Sequence, residues 1–209
     1  MPEVTGVHER RGRARVFVEG EFWAEIDAGV ASERGIYKGA VLSPEEFLDA
    51  RVAGERALAM SRALNFLGYR ARSEREVRDR LRRYGYDEAT IDVVLERLKE
   101  LGHLDDEDFA RNAARQKARK YGPRRVEFDL RKGGVGSEIA QEAVQEAFAD
   151  LSESESAHSA AARRYNTREG SDAEARRVYG FLMRRGFSAD VCAEVARKYR
   201  GQDSPEAVL

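Results

Sequence analysis

The chain has 209 residues, and its 37 basic and 38 acidic side chains give a formal net charge of −1. This balance argues against a polycation that coats nucleic acid indiscriminately, and the single cysteine, Cys192, excludes an intrachain disulfide. No charged-then-apolar leader opens the sequence, and no apolar run approaches the roughly 18 residues that a membrane span needs. We therefore expect a soluble cytoplasmic protein.

The first quarter of the chain predicts a small β-structure. In ARVFVEGEFWAEID, residues 14–27, apolar residues alternate with more polar ones on both sides of Glu19-Gly20, which is typical of a β-hairpin. Because two strands alone are marginally stable, they should pack on a third strand or on the helix that follows. That helix is predicted by Ser43 as N-cap, Pro44 at the first helical position and Glu46, which completes a capping box.

From about Val52 onward the sequence predicts one helix after another, and the same pattern recurs at residues 77–98, 126–148 and 178–199. In each copy a leucine is followed four residues later by a glycine and then by an apolar residue. The leucine and glycine pairs are Leu81 and Gly85, Leu130 and Gly134, and Leu182 and Gly186. A glycine just after a helix adopts the left-handed conformation without a Cβ penalty, so each copy predicts helix, tight turn, helix.

A further helix precedes each copy, at roughly residues 53–68, 105–121 and 153–168, so the recurring unit has three helices and about 50 residues. The predicted fold class is therefore mainly α, with three tandem three-helix repeats and a small N-terminal segment that contains the β-hairpin. The predicted boundaries are 1–51 for the N-terminal segment with its hairpin and short helix, 52–103, 104–151 and 152–201 for the repeats, and 202–209 for a flexible tail.

Two functional classes fit the pattern poorly. Three-helix units with a tight turn resemble helix-turn-helix modules, but the final helices DEATIDVVLERLKE and SEIAQEAVQEAF are acidic or neutral. Base-specific readout of a DNA major groove is therefore not expected. Catalysis is not expected either, because His8, His103 and His158 are scattered and no nucleotide-binding loop occurs. The prediction is no enzyme, no metal and no cofactor.

Basic residues concentrate in the middle copy, where residues 115–132 contain eight basic side chains against two acidic ones. At the end of a helix positive charge suits the helix dipole, but Arg124 and Arg125 begin one, where the dipole disfavours them. This mismatch indicates a surface for phosphates or for an acidic protein face. The candidate residues of this middle basic cluster are Arg115, Lys117, Arg119, Lys120, Tyr121, Arg124, Arg125, Arg131 and Lys132. Comparable places in the first copy hold Arg78, Arg82 and Arg83.

The segment FARNAARQKARKYGPRRVEFDLRKGGV, residues 109–135, resembles the RecX family of regulatory proteins, which modulate the RecA recombinase. RALNFLGYRARSEREVRDRLRRYGY, residues 62–86, and the triple repeat support the resemblance, which covers roughly residues 52–200. The third copy departs from the middle one, because it lacks the Gly-Pro breaker. The resemblance implies an elongated, curved helical array that lies along the groove of the RecA–DNA filament, and a monomer is the default expectation for such an asymmetric array. The resemblance also implies that the protein limits filament growth, ATP hydrolysis or partner access.

Three hypotheses for the function follow. The first is a non-enzymatic regulator that binds the RecA filament through the basic middle repeat. The second is an independent DNA-binding protein that contacts phosphates of single- and double-stranded DNA, and the third is a protein-binding scaffold. Charge reversal at Arg124 and Arg125 separates them, because it should weaken filament inhibition under the first and abolish DNA binding under the second.

Overall fold

The computed structural model describes residues 1–165 and 170–200, which form a three-stranded antiparallel sheet followed by ten helices. The strands are β1 Val4–Arg10, β2 Arg13–Val18 and β3 Glu21–Asp27. The helices are α1 Ala28–Glu33, α2 Pro44–Leu67, α3 Glu74–Arg83, α4 Glu88–Glu100, α5 Asp106–Ala118, α6 Pro123–Lys132, α7 Ser137–Asp150, α8 Glu153–Ala162, α9 Asp172–Arg184 and α10 Ala189–Arg197. The predicted tail at 202–209 lies outside the described residues, as does the end of the helix predicted to reach residue 168.

The described chain forms two compact units, of which the first ends at Asp105 and the second begins at Asp106. The first unit contains the sheet with α1 to α4, and the second contains α5 to α10. The sheet has its own apolar core, and three further cores each belong to one set of three helices. The predicted class, mainly helical with three tandem three-helix repeats, is confirmed.

The sheet confirms the predicted hairpin and adds a third strand. β2 pairs with β3 around Glu19-Gly20, and both turn residues have positive φ, at 51° and 86°. Such a turn matches the twist of the flanking strands. β1 pairs antiparallel with β2 through a second turn of the same kind at Arg11-Gly12. The sequence did not predict β1, because its two valines, Val4 and Val7, are three residues apart and do not alternate; a register irregularity between Val4 and Gly6 interrupts the period of two.

Helix α2 supports the sheet, as the marginal stability of a hairpin requires. Gly54 allows the close approach, because a Cβ at this position would lie 2.4 Å from the Cβ of Ile26 on β3. The predicted capping box is present, with Ser43 and Glu46 bonded reciprocally. The short helix expected here is the first part of a 24-residue helix that continues past residue 52, so that Ala59 and Ala63 pack in the first repeat.

The recurring leucine–glycine pattern forms the same backbone turn three times. Gly85, Gly134 and Gly186 all have positive φ, at 87°, 96° and 84°. In each turn the N–H of the residue after the glycine donates to the aligned leucine carbonyl, at 3.4, 3.2 and 3.3 Å. These are Schellman turns, which satisfy carbonyls at the helix end that have no partner inside the helix. The repeat seen in the sequence is therefore a repeat of local backbone geometry.

Two helix starts have no side-chain cap bond of their own, and the first of them differs from the sequence prediction, in which Ser137 caps the helix EIAQEAVQEAF. Helix α7 begins at Ser137 itself, and its N-cap is Gly136, which has no side chain to cap with. At α10 the N-cap Ser188 makes no cap bond of its own; its backbone N–H donates to Glu153 Oε1 at 2.6 Å and its hydroxyl donates to Oε2 at 3.2 Å. Glu153 lies in an acidic, serine-rich stretch at residues 150–155, so this stretch supplies a carboxylate to the start of α10, where the helix dipole favours negative charge.

Cys192 lies buried on α10, and burial raises the pKa of its thiol to about 11, assisted by the negative charge of Glu153. Because the thiolate is the reactive form, native Cys192 should not react with Ellman's reagent at about pH 8, whereas the denatured chain should react fully. Since the folded pKa exceeds the ordinary 9.0, the thiol's contribution to stability is present below pH 9.0 and is lost between there and about 11. Rapid stoichiometric labelling of the native protein would contradict this burial.

Among the described residues, no helix combines the length and the apolar character that crossing a membrane requires.

Candidate functional site

The junction between α5 and α6 is the place where the middle basic cluster meets the third repeat. Gly122 is the N-cap of α6, and its backbone N–H donates to the carbonyl of Arg185 at 2.9 Å. A Cβ on Gly122 would lie 2.4 Å from the carbonyl carbon of Gly186, and a Cβ on Gly186 would lie 2.5 Å from the backbone N of Arg125. The two backbones therefore touch at a pair of glycines, where neither tolerates a side chain.

Arg185, in the third repeat, stabilises this contact. Its Nη1 donates to the carbonyl of Lys120 at 2.9 Å. Its guanidinium lies over the rings of Tyr121 and Phe181, with 5.3 and 4.5 Å to the ring centroids. Hydrogen bonding and cation–π stacking thus act on the same side chain. We call this contact of Lys120, Tyr121 and Gly122 with Arg185 and Gly186 the junction clamp.

Part of the middle basic cluster is neutralised within its own repeat. The Asp129 carboxylate accepts a hydrogen bond from Lys117 Nζ at 2.6 Å and forms an ion pair with Arg125, whose Nε lies 3.0 Å away. Arg131 lies 3.7 Å from Glu127. The unfavourable position of Arg125 in the first turn of α6 is therefore offset by a carboxylate one turn later, and Arg125 does not by itself require an external partner.

Four other cations of the cluster point to solvent. Arg119, Lys120, Arg124 and Lys132 are exposed and form no ion pair within the part of the chain that the structure describes. Three of them lie within six consecutive residues around Gly122-Pro123. Arg115 is also exposed, on α5, whereas Tyr121 is half-buried beneath Arg185. The structure thus separates a solvent-facing set from an internally paired one.

The first-repeat arginines contact carboxylates of their own repeat. Arg78 lies 2.6 Å from Asp92, 3.1 Å from Glu88 and 3.2 Å from Glu74. Arg82 holds Glu88 with two hydrogen bonds, at 2.6 and 2.9 Å, and these bonds lower the pKa of the Glu88 carboxyl. Arg83 donates to a backbone carbonyl at the preceding helical turn.

Glu76 at the start of α3 joins the capping box to this charge network. Burial alone would raise the pKa of Glu76, but hydrogen bonds from Arg70 and Ser73 and the charge of Arg72 hold it below its ordinary 4.5. Because the folded pKa is lowered, the stability that Glu76 contributes is present above pH 4.5 and is lost as the pH falls through the folded value.

We expect Glu76→Gln to lower the free energy of unfolding by about 1 kcal/mol at neutral pH, and by much less near pH 3. Urea unfolding followed by Trp23 fluorescence measures this, because the only tryptophan belongs to the first unit. Glu33→Gln, at an exposed carboxylate with no ion pair among the described residues, is the control and should change little at either pH. Equal destabilisation by Glu76→Gln at both pH values would contradict the ionic contribution.

Sequence reasoning missed one set of charged residues, a stack of arginines and aromatic rings in the first repeat. Its members are Arg62, Phe66, Arg72, Arg80, Tyr84 and Tyr86. Guanidinium groups lie 4.1 to 5.5 Å from the ring centroids. The Nε atoms of all three arginines are buried and have no hydrogen-bond partner among residues 1–165 and 170–200. Of these contacts, only the one between Arg80 and Tyr84 could have been predicted from the sequence, because the two residues are spaced i, i+4.

No three His, Cys, Asp or Glu side chains of residues 1–165 and 170–200 come close enough together to hold a metal ion.

Comparison with known proteins assigns the three repeats. The family models for RecX match in chain order: the first three-helix domain at residues 59–98, the second at 105–144 and the third at 152–196. Together the matches cover more than half of the chain. A regulatory protein RecX of Lactobacillus gasseri is 31% identical over 150 residues, which are 70% of this chain and 55% of that relative.

A regulatory protein RecX of Clostridium perfringens is 24% identical over 213 residues, covering 99% of this chain and 100% of the relative. A crystal structure of a regulatory protein RecX shares the fold with a TM-score of 0.65 at 22% identity, over 94% of this chain and 100% of that one. Repeat order, turn geometry and these matches agree. The chain therefore belongs to the RecX family of regulatory proteins.

Proposed function

We propose that this protein is a non-enzymatic regulator that binds the RecA recombinase filament on DNA. In this proposal it inhibits the ATP hydrolysis of the filament, its growth and strand exchange. The support at the level of the family is that the relatives are named regulatory proteins and that the three RecX domains follow one another in this chain.

One observation carries the proposal, the solvent-facing cations at the junction clamp. Arg119, Lys120 and Arg124 place three positive charges on a short stretch of backbone with no carboxylate bound to them within the described chain. The clamp holds that backbone from the third repeat. Because less freedom is lost when a preorganised loop binds, fixed cations bind an anionic partner more tightly than mobile ones. A nucleoprotein filament offers both phosphates and carboxylates to such a site.

The test is ATP hydrolysis by the cognate RecA on single-stranded DNA, titrated with this protein. Inhibition at amounts well below those that could cover the DNA is expected, because a regulator that caps or breaks filaments acts on many RecA subunits at once. Inhibition that appears only when the protein could coat the DNA would indicate competition for phosphates. No effect at any ratio would refute the proposed function.

The same cations favour a second candidate, a protein that binds DNA phosphates without RecA. If Arg119, Lys120 and Arg124 each neutralise one phosphate of a duplex, the affinity should fall with salt at a log–log slope of about −2.7. Duplex binding with that slope, together with unchanged RecA activity, would support this candidate over the first.

A further inference from the structure

The outward face of the N-terminal sheet carries a second group of arginines, far in sequence from the middle repeat. Strand β2 alternates between its two faces, so Ala14 and Val16 are fully buried against the core while Arg13, Arg15 and Phe17 lie on the other face. Pairing to β1 places His8 opposite Arg15. The outward face is therefore cationic, although the chain as a whole is nearly neutral.

A concavity of about 410 Å³ lies on this face. Its lining residues are His8, Arg10, Arg11, Arg13, Arg15 and Glu25. The lining thus contains four arginines and one carboxylate. In the ion pair between Arg13 and Glu25 the nitrogen and oxygen atoms are 3.9 Å apart, which is a long separation for such a pair. Arg11 reaches the site from the β1–β2 turn, where its φ of 52° is in the left-handed region that non-glycine residues seldom adopt. The excess of positive charge fits an anionic ligand with more than one charge.

Aromatic rings adjoin the arginines on the same face. Phe17 contacts His8 and Phe22 edge to face, with centroid distances of 5.5 and 5.8 Å. Arg15 lies 5.3 Å from the Phe22 ring centroid. Phe22 is 52% exposed, which is unusual for a phenylalanine on a sheet whose other face supplies the core. A flat apolar ring is thus offered to solvent beside a row of guanidinium groups.

We propose that this face, the sheet arginine–aromatic face of His8, Arg10, Arg11, Arg13, Arg15, Phe17 and Phe22, binds single-stranded nucleic acid. Arginines beside exposed aromatic rings suit a ligand whose phosphates run along the cations while its unpaired bases stack on the rings. The bases of a duplex are stacked inside it and present no face to Phe22. The carboxylates of an acidic protein surface would pair with the arginines but not stack on the ring. The surface belongs to the first unit and does not depend on the proposed action of the junction on RecA.

The aromatic part is tested by fluorescence anisotropy of the full chain, without RecA, using a labelled thymidine oligonucleotide of about 15 nucleotides and a duplex of the same length. Phe22→Ala should weaken binding of the single strand about tenfold and leave the duplex nearly unchanged. Tyr37→Ala, at another exposed ring of the same unit, is the control and should alter neither. Circular dichroism verifies that the variants remain folded.

The charged part is tested by the salt dependence of binding. Arg11→Gln combined with Arg15→Gln should reduce the magnitude of the single-strand log–log salt slope by about 1.4, that is, by two phosphates. Arg34→Gln combined with Arg51→Gln removes two exposed charges that do not line the concavity, so the slope should not change.

Three results would overturn the inference. One is that the full chain does not bind the oligonucleotide, and another is that Phe22→Ala reduces duplex and single-strand affinity equally. The third is that only Lys120→Gln with Arg124→Gln reduces binding, which would assign it to the junction. RecA inhibition is measured separately, so failure of either proposal leaves the other intact.

Discussion

Gly122→Ala should destabilise the second unit by about 2 to 3 kcal/mol, although it adds only one methyl group. The added Cβ would lie 2.4 Å from the backbone of Gly186 and of Phe187, so the junction clamp has to open or shift. Overpacking of a tight contact typically costs about 1–3 kcal/mol, and here the neighbour is backbone, which cannot rotate away. Loss of the Gly122 to Arg185 hydrogen bond adds to this effect.

Urea unfolding followed by far-ultraviolet circular dichroism measures the change, and Trp23 fluorescence from the same samples reports on the first unit, which should be unaffected. Gly136→Ala is the matched control. Gly136 is also an N-cap glycine without a cap bond, and a Cβ there meets nothing within 4 Å. Equal effects of the two substitutions would show that helix capping, and not the close contact, is responsible.

Lys120→Glu combined with Arg124→Glu should raise the concentration that half-inhibits RecA ATP hydrolysis at least about tenfold. Each reversal turns an attraction to an anionic partner into a repulsion, and about 1.4 kcal/mol corresponds to tenfold in affinity. Both side chains are exposed and form no ion pair within the described chain, so the protein itself should keep its stability. The measurement is the titration described for the proposed function.

The control for this pair is Arg163→Glu combined with Arg176→Glu. These arginines are exposed in the same unit, form no ion pair among the described residues and change the net charge by the same amount. If both double variants weaken inhibition equally, long-range charge alone acts on the filament and the junction has no special part. If the Lys120 and Arg124 variant inhibits RecA as strongly as the unmodified protein, the cations at the junction do not contribute to inhibition.

The sequence by itself determined the features whose hydrogen bonds close within a few residues. The three glycine turns were predictable because each joins a leucine carbonyl to an N–H five residues later. The cap of α4 by Asp87 was predictable for the same reason, because its carboxylate accepts from the N–H of Thr90. The hairpin turn at Glu19-Gly20 also needs only local backbone geometry.

The candidate site was only partly predictable. The basic cluster and the Gly122-Pro123 breaker within it were evident in the sequence, and the i, i+4 spacing of Arg125 and Asp129 could have shown that Arg125 has an internal partner. The other ion pair of Asp129, with Lys117 on the preceding helix, depends on how α5 packs on α6.

Only the tertiary structure decided which glycines touch and which cations remain for a partner. The junction clamp joins Lys120 to Arg185 across 65 residues of chain, and no pattern of spacing shows that Gly122 meets Gly186. The outward face of the sheet likewise required β1, whose sequence is too polar to predict a strand but whose His8 and Arg10 complete the cationic surface. Contacts between distant segments depend on packing of whole elements, whereas caps and turns depend on neighbours in the chain.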